Sequence, residues 1–387
     1  MKNIILTTLN ARYSHTSLAL RYLFANLKEL KDEAKILEFV INSSNQTIAE
    51  KILENNPKIV GIATYIWNAF DVGEIVKIIK KVSPKTIVVL GGPEVSYQPF
   101  RVNFDMADYI ISGEGEESFY NLCREIYDGN CTQPRTIMSP KIDFEKIVLP
   151  YDDYTDFDIQ NRHIYVENAR GCPFECEFCL SSIETKMRYL DLDIFLNEID
   201  KLWNRGARSF KFIDRTFNLK ISFAKAILNY FLEKKEDYFL HFEVIPDNFP
   251  DELKELLTKF KAGSLQLEVG IQTLNLDVAK NIRRNLRLEK IKENLRFLSQ
   301  ETHAHMHIDL IIGLPGESVE SFGRNLNLLY TLSTGEIQVG ILKKLSGTTL
   351  DRHDKMYGMV YSDTPPYDIL QNDLISFSKM QEMKRFA

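Results

Sequence analysis

At 387 residues, 44% hydrophobic and 26% charged, the chain has the composition of a globular protein with enough material for two or three cores. A net charge of −6 with scattered Lys and Arg speaks against a nucleic-acid-binding face, and no apolar run approaches the ~18 residues of a membrane span. Met1-Lys2-Asn3-Ile4-Ile5-Leu6 runs straight into polar residues, unlike a signal peptide, so the expected setting is the cytoplasm.

From Met1 to about Tyr127 strand-like and helix-like segments alternate. Asn3–Leu9, Ala34–Val40, Ile59–Thr64, Ile87–Leu90 and Tyr109–Ser112 read as strands. Ile59–Thr64 is nearly all apolar, as a strand buried on both faces must be. Between them, Leu20, Leu23, Phe24 and Leu27, and then Val72, Ile75, Val76, Ile79 and Val82, recur at helical spacing, and Thr47–Asn55 reads as a short helix. This alternation predicts a doubly wound parallel sheet of the flavodoxin type, with ligands beyond the carboxyl ends of its strands. The loops at those ends hold Leu9-Asn10-Ala11, Tyr65, Trp67, Asn68, Gly91-Gly92-Pro93-Glu94 and Gly113-Glu114-Gly115-Glu116. None matches a Gly-x-Gly-x-x-Gly or phosphate-loop pattern, so a nucleotide is not expected there.

Cys131 to about Arg162 shows neither period and carries three prolines, which predicts a crossing linker. Its acidic, aromatic run Tyr151–Asp158 reads as a solvated connector. Then comes Gly171-Cys172-Pro173-Phe174-Glu175-Cys176-Glu177-Phe178-Cys179, three of the chain's five cysteines in a Cys-x3-Cys-x2-Cys run. A 4Fe–4S cube normally takes four thiolates, so a three-thiolate loop leaves one iron open for chemistry. A zinc knot or redox pair is the other chemistry such a stretch allows. Zinc ligands usually come as two Cys-x2-Cys pairs, and neither Cys123 nor Cys131 supplies a second pair. Clustered thiols also fit a reducing compartment.

Beyond the cysteines, strands at Ser209–Ile213, Phe239–Val244, Leu265–Val269, His305–Ile312 and Glu336–Ile341 alternate with helices and, with Ile164–Glu167, make six strand–helix units. Six strands do not close a full barrel. Groups at strand carboxyl ends or on strand faces are the site candidates: Asp214, Asn218, Glu243, Glu268, Gln272 and Gly313-Leu314-Pro315. His303, His305 and His307 share one strand face at a spacing able to hold a metal. No carboxylate or cysteine is placed by the sequence to complete that site, so they read as solvated residues at a strand start, with His307 and Asp309 turned to the cavity. Past Leu350 the chain turns polar and then reads as a helix near Ile369–Phe386.

The cysteine run, with Phe178 in its aromatic place, resembles the signature of the radical S-adenosylmethionine enzymes. That resemblance implies a partial (β/α)6 barrel in which Cys172, Cys176 and Cys179 hold a 4Fe–4S cluster. S-adenosylmethionine would chelate its open iron and yield a 5′-deoxyadenosyl radical on reduction by a partner such as flavodoxin or ferredoxin. It assigns S-adenosylmethionine contacts to Phe178, Asp214, Asn218, Glu243, Glu268, Gln272, Gly313, Leu314 and Pro315. The N-terminal sheet, through its Gly91-Gly92-Pro93 and Gly113–Glu116 loops, resembles the cobalamin-binding domain of the cobalamin-dependent branch. Leu9, Asn10, Ala11, Tyr65, Trp67, Asn68, Gly91–Glu94 and Gly113–Glu116 are then the cobalamin contacts. The Asp-x-His-x-x-Gly pattern of many cobalamin domains is absent, so a bound cobalt is expected to lack a histidine ligand; His15 reads as a surface or capping residue.

The domains are expected at 1–130, 131–162 as linker, 163–345, and 346–387. In that branch the commonest chemistry is methyl transfer to an unactivated carbon. Cyclisation, rearrangement or methylthiolation on the same barrel are alternatives, and a non-catalytic cobalamin carrier or sensor is one of another class. Family members often carry more chain beyond this point, which implies a further substrate-side segment. Substrate identity is not legible, because barrel loops carry no transferable code.

Overall fold

A computed structural model describes residues 2–387, which divide into two compact units. One unit reaches to Tyr165 and includes Asn204–Ala207 and Asp363–Pro366; the other holds Val166–Trp203, Arg208–Ser362 and Tyr367–Ala387.

The first unit runs β1 (Ile4–Asn10), α1 (Leu18–Ala25), β2 (Ala34–Val40), α2 (Asn45–Leu53), β3 (Ile59–Ala63), α3 (Ala69–Val82), β4 (Ile87–Gly91), β5 (Tyr109–Ser112), α4 (Glu116–Asp128), β6 (Thr136–Met138) and α5 (Asp156–Asn161). Its sheet is parallel with order β2-β1-β3-β4-β5-β6, the flavodoxin-type order extended by one strand. Every residue of β1 and β3 is buried because helices cover both faces. Val72, Ile75, Val76 and Ile79 of α3 pack with Ile48 and Ile52 of α2 on one face. Leu20 of α1 and Phe119 and Leu122 of α4 pack on the other.

The expected linker is more structured than its sequence shows. It contributes the edge strand β6 and the helix α5, which Thr155 starts with a capping box: its Oγ1 accepts from the Asp158 backbone N–H, and Asp158 accepts from the Thr155 N–H. Tyr151 and Tyr154 are each 1% exposed, which corrects the solvated-connector reading. The run is acidic because Asp158 enters a buried ion cluster with Arg21 (2.9 Å) and Arg162 (3.5 Å), both of which also pair with Glu38 at 3.0 Å. The Arg21 guanidinium lies 4.5 Å from the Tyr154 ring centre.

The second unit runs β7 (Ile164–Val166), β8 (Ala169–Arg170), β9 (Arg188–Tyr189), α6 (Leu192–Asn204), β10 (Ser209–Phe212), α7 (Ile221–Leu232), β11 (Phe239–Val244), α8 (Asp251–Leu257), β12 (Leu265–Gln272), α9 (Leu276–Asn281), α10 (Leu288–Glu301), β13 (His305–Ile312), α11 (Val319–Leu332), β14 (Glu336–Ile341), β15 (Val360–Tyr361), β16 (Ile369–Gln371) and α12 (Phe377–Phe386). Six strands form an open sheet in the order β14-β13-β12-β11-β10-β7, parallel through its registered pairs. Burial alternates strictly along β12 and β13. Leu265, Leu267, Val269 and Ile271 point under the helices, whereas Gln266, Glu268, Gly270 and Gln272 face the barrel interior. The sequence predicts one helix over Ile369–Phe386. Instead Ile369–Gln371 is a strand, whose Ile369 N–H bonds Leu342 O at 2.8 Å, and the helix begins only at Phe377, capped by Ser376. No helix among the described residues is long and apolar enough to cross a membrane.

Candidate functional site

The cysteine loop lies between β8 and β9, which pair antiparallel. Gly171 opens it with φ +94°, and a Cβ there would lie 2.4 Å from Lys186 O, so only glycine lets the loop close on its returning strand. Cys172 N–H then bonds Glu184 O at 2.8 Å, and Cys179 N–H bonds Cys176 O at 3.0 Å. Cys172 and Cys176 are buried, Cys179 half-buried, and all are free thiols. Three thiols on one loop, each free to take a different iron, fit a cluster, and Cys123 and Cys131 do not join them: Cys123 is in the N-terminal core and Cys131 meets the Tyr109 hydroxyl at 3.2 Å.

Two guanidinium groups attend the thiols. Arg284 Nη1 donates to Cys176 Sγ at 3.6 Å, and its Nη2 donates to Gly270 O. Arg215 pairs with Glu243 at 3.1 Å, and that carboxylate, followed by the charges of Cys179 and Cys172, raises the Arg215 pKa. Burial pushes the Cys172 thiol up, the other two cysteines adding to it, while a hydrogen bond from the Phe174 backbone and, less, the Arg215 charge favour its thiolate.

Inside the barrel, register puts Glu243 beside Glu268, and Glu268 beside His307. Burial opposes ionisation of Glu268, yet the His241 hydrogen bond at 3.0 Å and the His241 and His307 charges hold its pKa below the usual value. Asp309 goes the other way. Burial, then the charges of Glu268 and Glu243, push its carboxyl up to about 7. Gln272, at the end of β12, sits at φ +69° where the register shifts, strain of the kind that collects at binding sites. Carboxylates, an amide and two arginines converging beside the thiols are a donor set suited to ribose hydroxyls and an amino-acid end.

The other expected contact residues also hold the barrel together. Asn218 is buried: its amide donates to Ile245 O (2.9 Å) and Asn248 O (2.8 Å) and its Oδ1 accepts from Ile245 N–H, so it pins two loops together. Asp214 is buried and accepts from the Asn168 N–H at 3.1 Å, and burial pushes its carboxyl up to about 7. Leu314 is fully buried, Pro315 O accepts from Asn281 Nδ2 at 2.9 Å, and Gly313 lies against Ile369 and Met380. Phe178 is half-buried in the cysteine loop.

Because the folded pKa of Asp309 lies above the ~3.9 of a free aspartate, its protonation favours the folded barrel. That contribution is complete below about pH 4 and is lost as pH rises through about 7. Asp309→Asn is therefore expected to flatten part of the loss of barrel stability between about pH 5 and about pH 7.5, leaving the share of Asp214. Denaturant unfolding of the two proteins at both pH values checks this, and parallel losses would contradict it.

At the carboxyl ends of the N-terminal strands, Gly92 has φ +104°, and a Cβ there would lie 2.5 Å from Thr64 O, so the loop after β4 folds back over the end of β3. Gly91, Gly92 and Gly113 stand at the carboxyl ends of the adjacent strands β4 and β5, where doubly wound sheets bind their ligands. Trp67 stacks on Tyr65 at 4.5 Å and stays 45% exposed, while its indole N–H bonds Leu9 O at 3.0 Å. Asn68 holds Thr8, Leu9 and Ala63, and Asn10 holds His15 O and Glu38, so both fix the loops that carry Ala11 and Tyr65. Glu94 is buried, Glu114 accepts from Ile142 N–H at 2.7 Å, and Glu116 begins α4 beside Gly115 and Pro93 caps nothing but starts a short turn. His15 packs edge-on against Tyr165 at 5.9 Å.

Sequence reasoning missed Glu177, Arg215, His241, Arg284 and His353. It also read the histidines at the start of β13 as lacking a carboxylate. The fold supplies Glu336, whose ligand atom lies within 4.8 Å of those of His305 and His307.

The chain matches the B12 binding domain family over residues 4–123, the Radical SAM superfamily over 167–329, and a protein family of unknown function (DUF4080) over 355–387. It is 27% identical over 227 residues to the uncharacterized methyltransferase PH0819 of Pyrococcus horikoshii, covering 52% of this chain and 49% of that one. It is 28% identical over 313 residues to the anaerobic magnesium-protoporphyrin IX monomethyl ester cyclase of Cereibacter sphaeroides, covering 72% and 50%. The chain thus spans about half the length of these curated relatives. The structure of the radical S-adenosylmethionine methyltransferase TsrM from Kitasatospora setae superposes with a TM-score of 0.73 at 16% identity, over 96% of this chain and 80% of that one, which is a likeness of fold.

Proposed function

Because the chain joins a B12-binding domain to a radical SAM domain and so belongs to the cobalamin-dependent radical S-adenosylmethionine enzymes, we propose that it is a methyltransferase acting on an unactivated carbon. Its cofactors are a 4Fe–4S cluster, S-adenosylmethionine and cobalamin, which together supply one-electron bond cleavage and a transferable methyl group. Cys172, Cys176 and Cys179 would hold the cluster, with Arg284 and Arg215 offsetting thiolate charge. Glu243, Glu268 and Gln272 would fix the ribose and amino-acid ends of S-adenosylmethionine. Asp309, poised near neutrality, is able to keep or release a proton in the interior. Gly91, Gly92 and Gly113 would receive cobalamin against the backbone. A flavodoxin- or ferredoxin-like protein is the proposed electron donor.

The observation that carries the reading is a three-thiol loop with no fourth cysteine beside it, in a chain that also carries a B12-binding domain. The similarity to a cyclase favours cyclisation as the second reading. Methylthiolation usually needs a second cluster, and the burial of Cys123 and the Tyr109 contact of Cys131 speak against one.

A test needs no substrate. Anaerobically reconstituted protein, given methyl-labelled S-adenosylmethionine, dithionite and cobalamin, is expected to form 5′-deoxyadenosine and to move label onto the bound corrin. Cleavage without label transfer would favour the cyclase-type reading, and retention of no corrin would remove the cobalamin assignment. Once a substrate is found, a product heavier by one methylene unit identifies methylation.

A further inference from the structure

His305 and His307 project from β13 at i and i+2, on one face, and Glu336 stands beside His307 in the register of β13 with β14. His305 Nε2 lies 3.7 Å and His307 Nε2 3.5 Å from the same Glu336 oxygen. Both separations exceed the ~2.7–3.2 Å of a nitrogen–oxygen hydrogen bond. They approach the about 3.3 Å that separates neighbouring ligands around a tetrahedral ion with ~2.0 Å bonds. The three groups therefore converge without satisfying one another.

The orientation of His307 is fixed independently. Its Nδ1 meets Gln266 Nε2 at 3.1 Å and also meets the Gln338 amide, while Glu268 Oε2 lies 3.9 Å away. An amide oxygen of Gln266 or Gln338 accepting the Nδ1–H would leave Nε2 bare toward the shared centre, which is how ligating histidines are held. His305 also lines a cavity of about 440 Å³ with Phe239, Gln266, His303, Met306 and Thr334, at the amino-terminal ends of β11, β12 and β13. The cysteine loop, by contrast, belongs to the far side of β8 in the chain and shares no residue with this cavity.

We propose that His305, His307 and Glu336 form a second metal site, for a borderline divalent cation of the zinc class, with a remaining coordination position open to water. Two imidazoles and one carboxylate are the ligand set of exchangeable zinc sites, and their oxygen and nitrogen donors do not favour the thiolate-seeking iron cluster. An ion there ties the starts of β13 and β14 together and orders a histidine that contacts Glu268.

The test uses tag-free protein with its cluster assembled, so that the cysteine thiols are occupied, and zinc chloride alone as probe. Metal analysis after desalting is expected to give about one zinc per chain beyond the iron, and His307→Ala or Glu336→Gln to weaken zinc binding at least about tenfold in competition with a chromophoric chelator. His305→Ala should do the same. His303→Ala, which alters the cavity wall but not the ligand set, should stay within about threefold of wild type, and iron content should be constant throughout. His305 and Glu336 are exposed, so their variants are expected to fold. Absence of zinc uptake at micromolar free zinc, or zinc binding at the wild-type affinity by the Glu336→Gln and His305→Ala proteins, would overturn the assignment.

Discussion

Cys176→Ala is expected to lower iron after anaerobic reconstitution from about four atoms per chain to a small residue, and S-adenosylmethionine cleavage to below about one-hundredth of wild type. Cys176 is the central cysteine of the run, and its carbonyl receives the Cys179 N–H at 3.0 Å, so the loop is built around it. Its sulfur is also the one that Arg284 approaches, at 3.6 Å. With two thiolates left, a cube would have two irons without protein ligands, and the second would compete for the donor that S-adenosylmethionine must give to only one.

Cys131→Ala is the matched control, because Cys131 lies in the first unit beside the Tyr109 hydroxyl and its loss should leave iron and cleavage within about twofold of wild type. Iron counts and 5′-deoxyadenosine formation, measured side by side, separate loss of the cluster from loss of fold. Full cleavage activity in the Cys176→Ala protein would end the cluster assignment outright.

The parts of this molecule that were legible in its sequence are those set by local pattern. Ala34–Val40 and Tyr109–Ser112 were delimited to the residue: Tyr109–Ser112 is a short apolar run stopped by Gly113, and Ala34–Val40, a half-buried edge strand, carries Lys35 and Glu38 among its apolar residues. The cysteine run carries its chemistry in its spacing alone. What escaped depends on contacts made across the fold. Arg284 meets Cys176 across 108 residues and His353 meets Glu177 across 176, separations that leave no local signature. The strand β6 escaped because three residues at a sheet edge give no period to read. Glu336 became a neighbour of His307 only through strand register, which turns a row of histidines into a convergent group. Tyr151 and Tyr154 look like solvated aromatics among acids until the partners of Asp158 and Glu38, the buried Arg21 and the half-buried Arg162, are known.

Glu177→Gln is expected to speed iron loss to a chelator at least about tenfold while keeping all three cysteines, a difference of about 1.4 kcal/mol, less than the ~3–5 kcal/mol that breaking a buried ion pair costs. Glu177 lies between Cys176 and Phe178, and its side chain is fully buried among a histidine and two arginines: His353 Nε2 at 2.6 Å, Arg352 Nε at 2.7 Å and Arg283 Nε at 3.0 Å. Its backbone N–H bonds Ile282 O at 3.3 Å, so the segment Ile282–Arg284 holds the loop through backbone, carboxylate and thiol in turn. Glutamine keeps the shape and removes the charge, so it leaves packing intact and isolates the electrostatic hold. Arg283 and Arg352 are each about half exposed and therefore screened; replacing either with alanine should change iron release less than about threefold. His353 is the dry partner, and His353→Gln should fall between the two. Iron loss from the Glu177→Gln protein at the wild-type rate would mean that the loop is held by its backbone hydrogen bonds alone. A graded series would show that the C-terminal segment carrying Arg352 and His353 is part of what keeps the cysteines in place for the cluster.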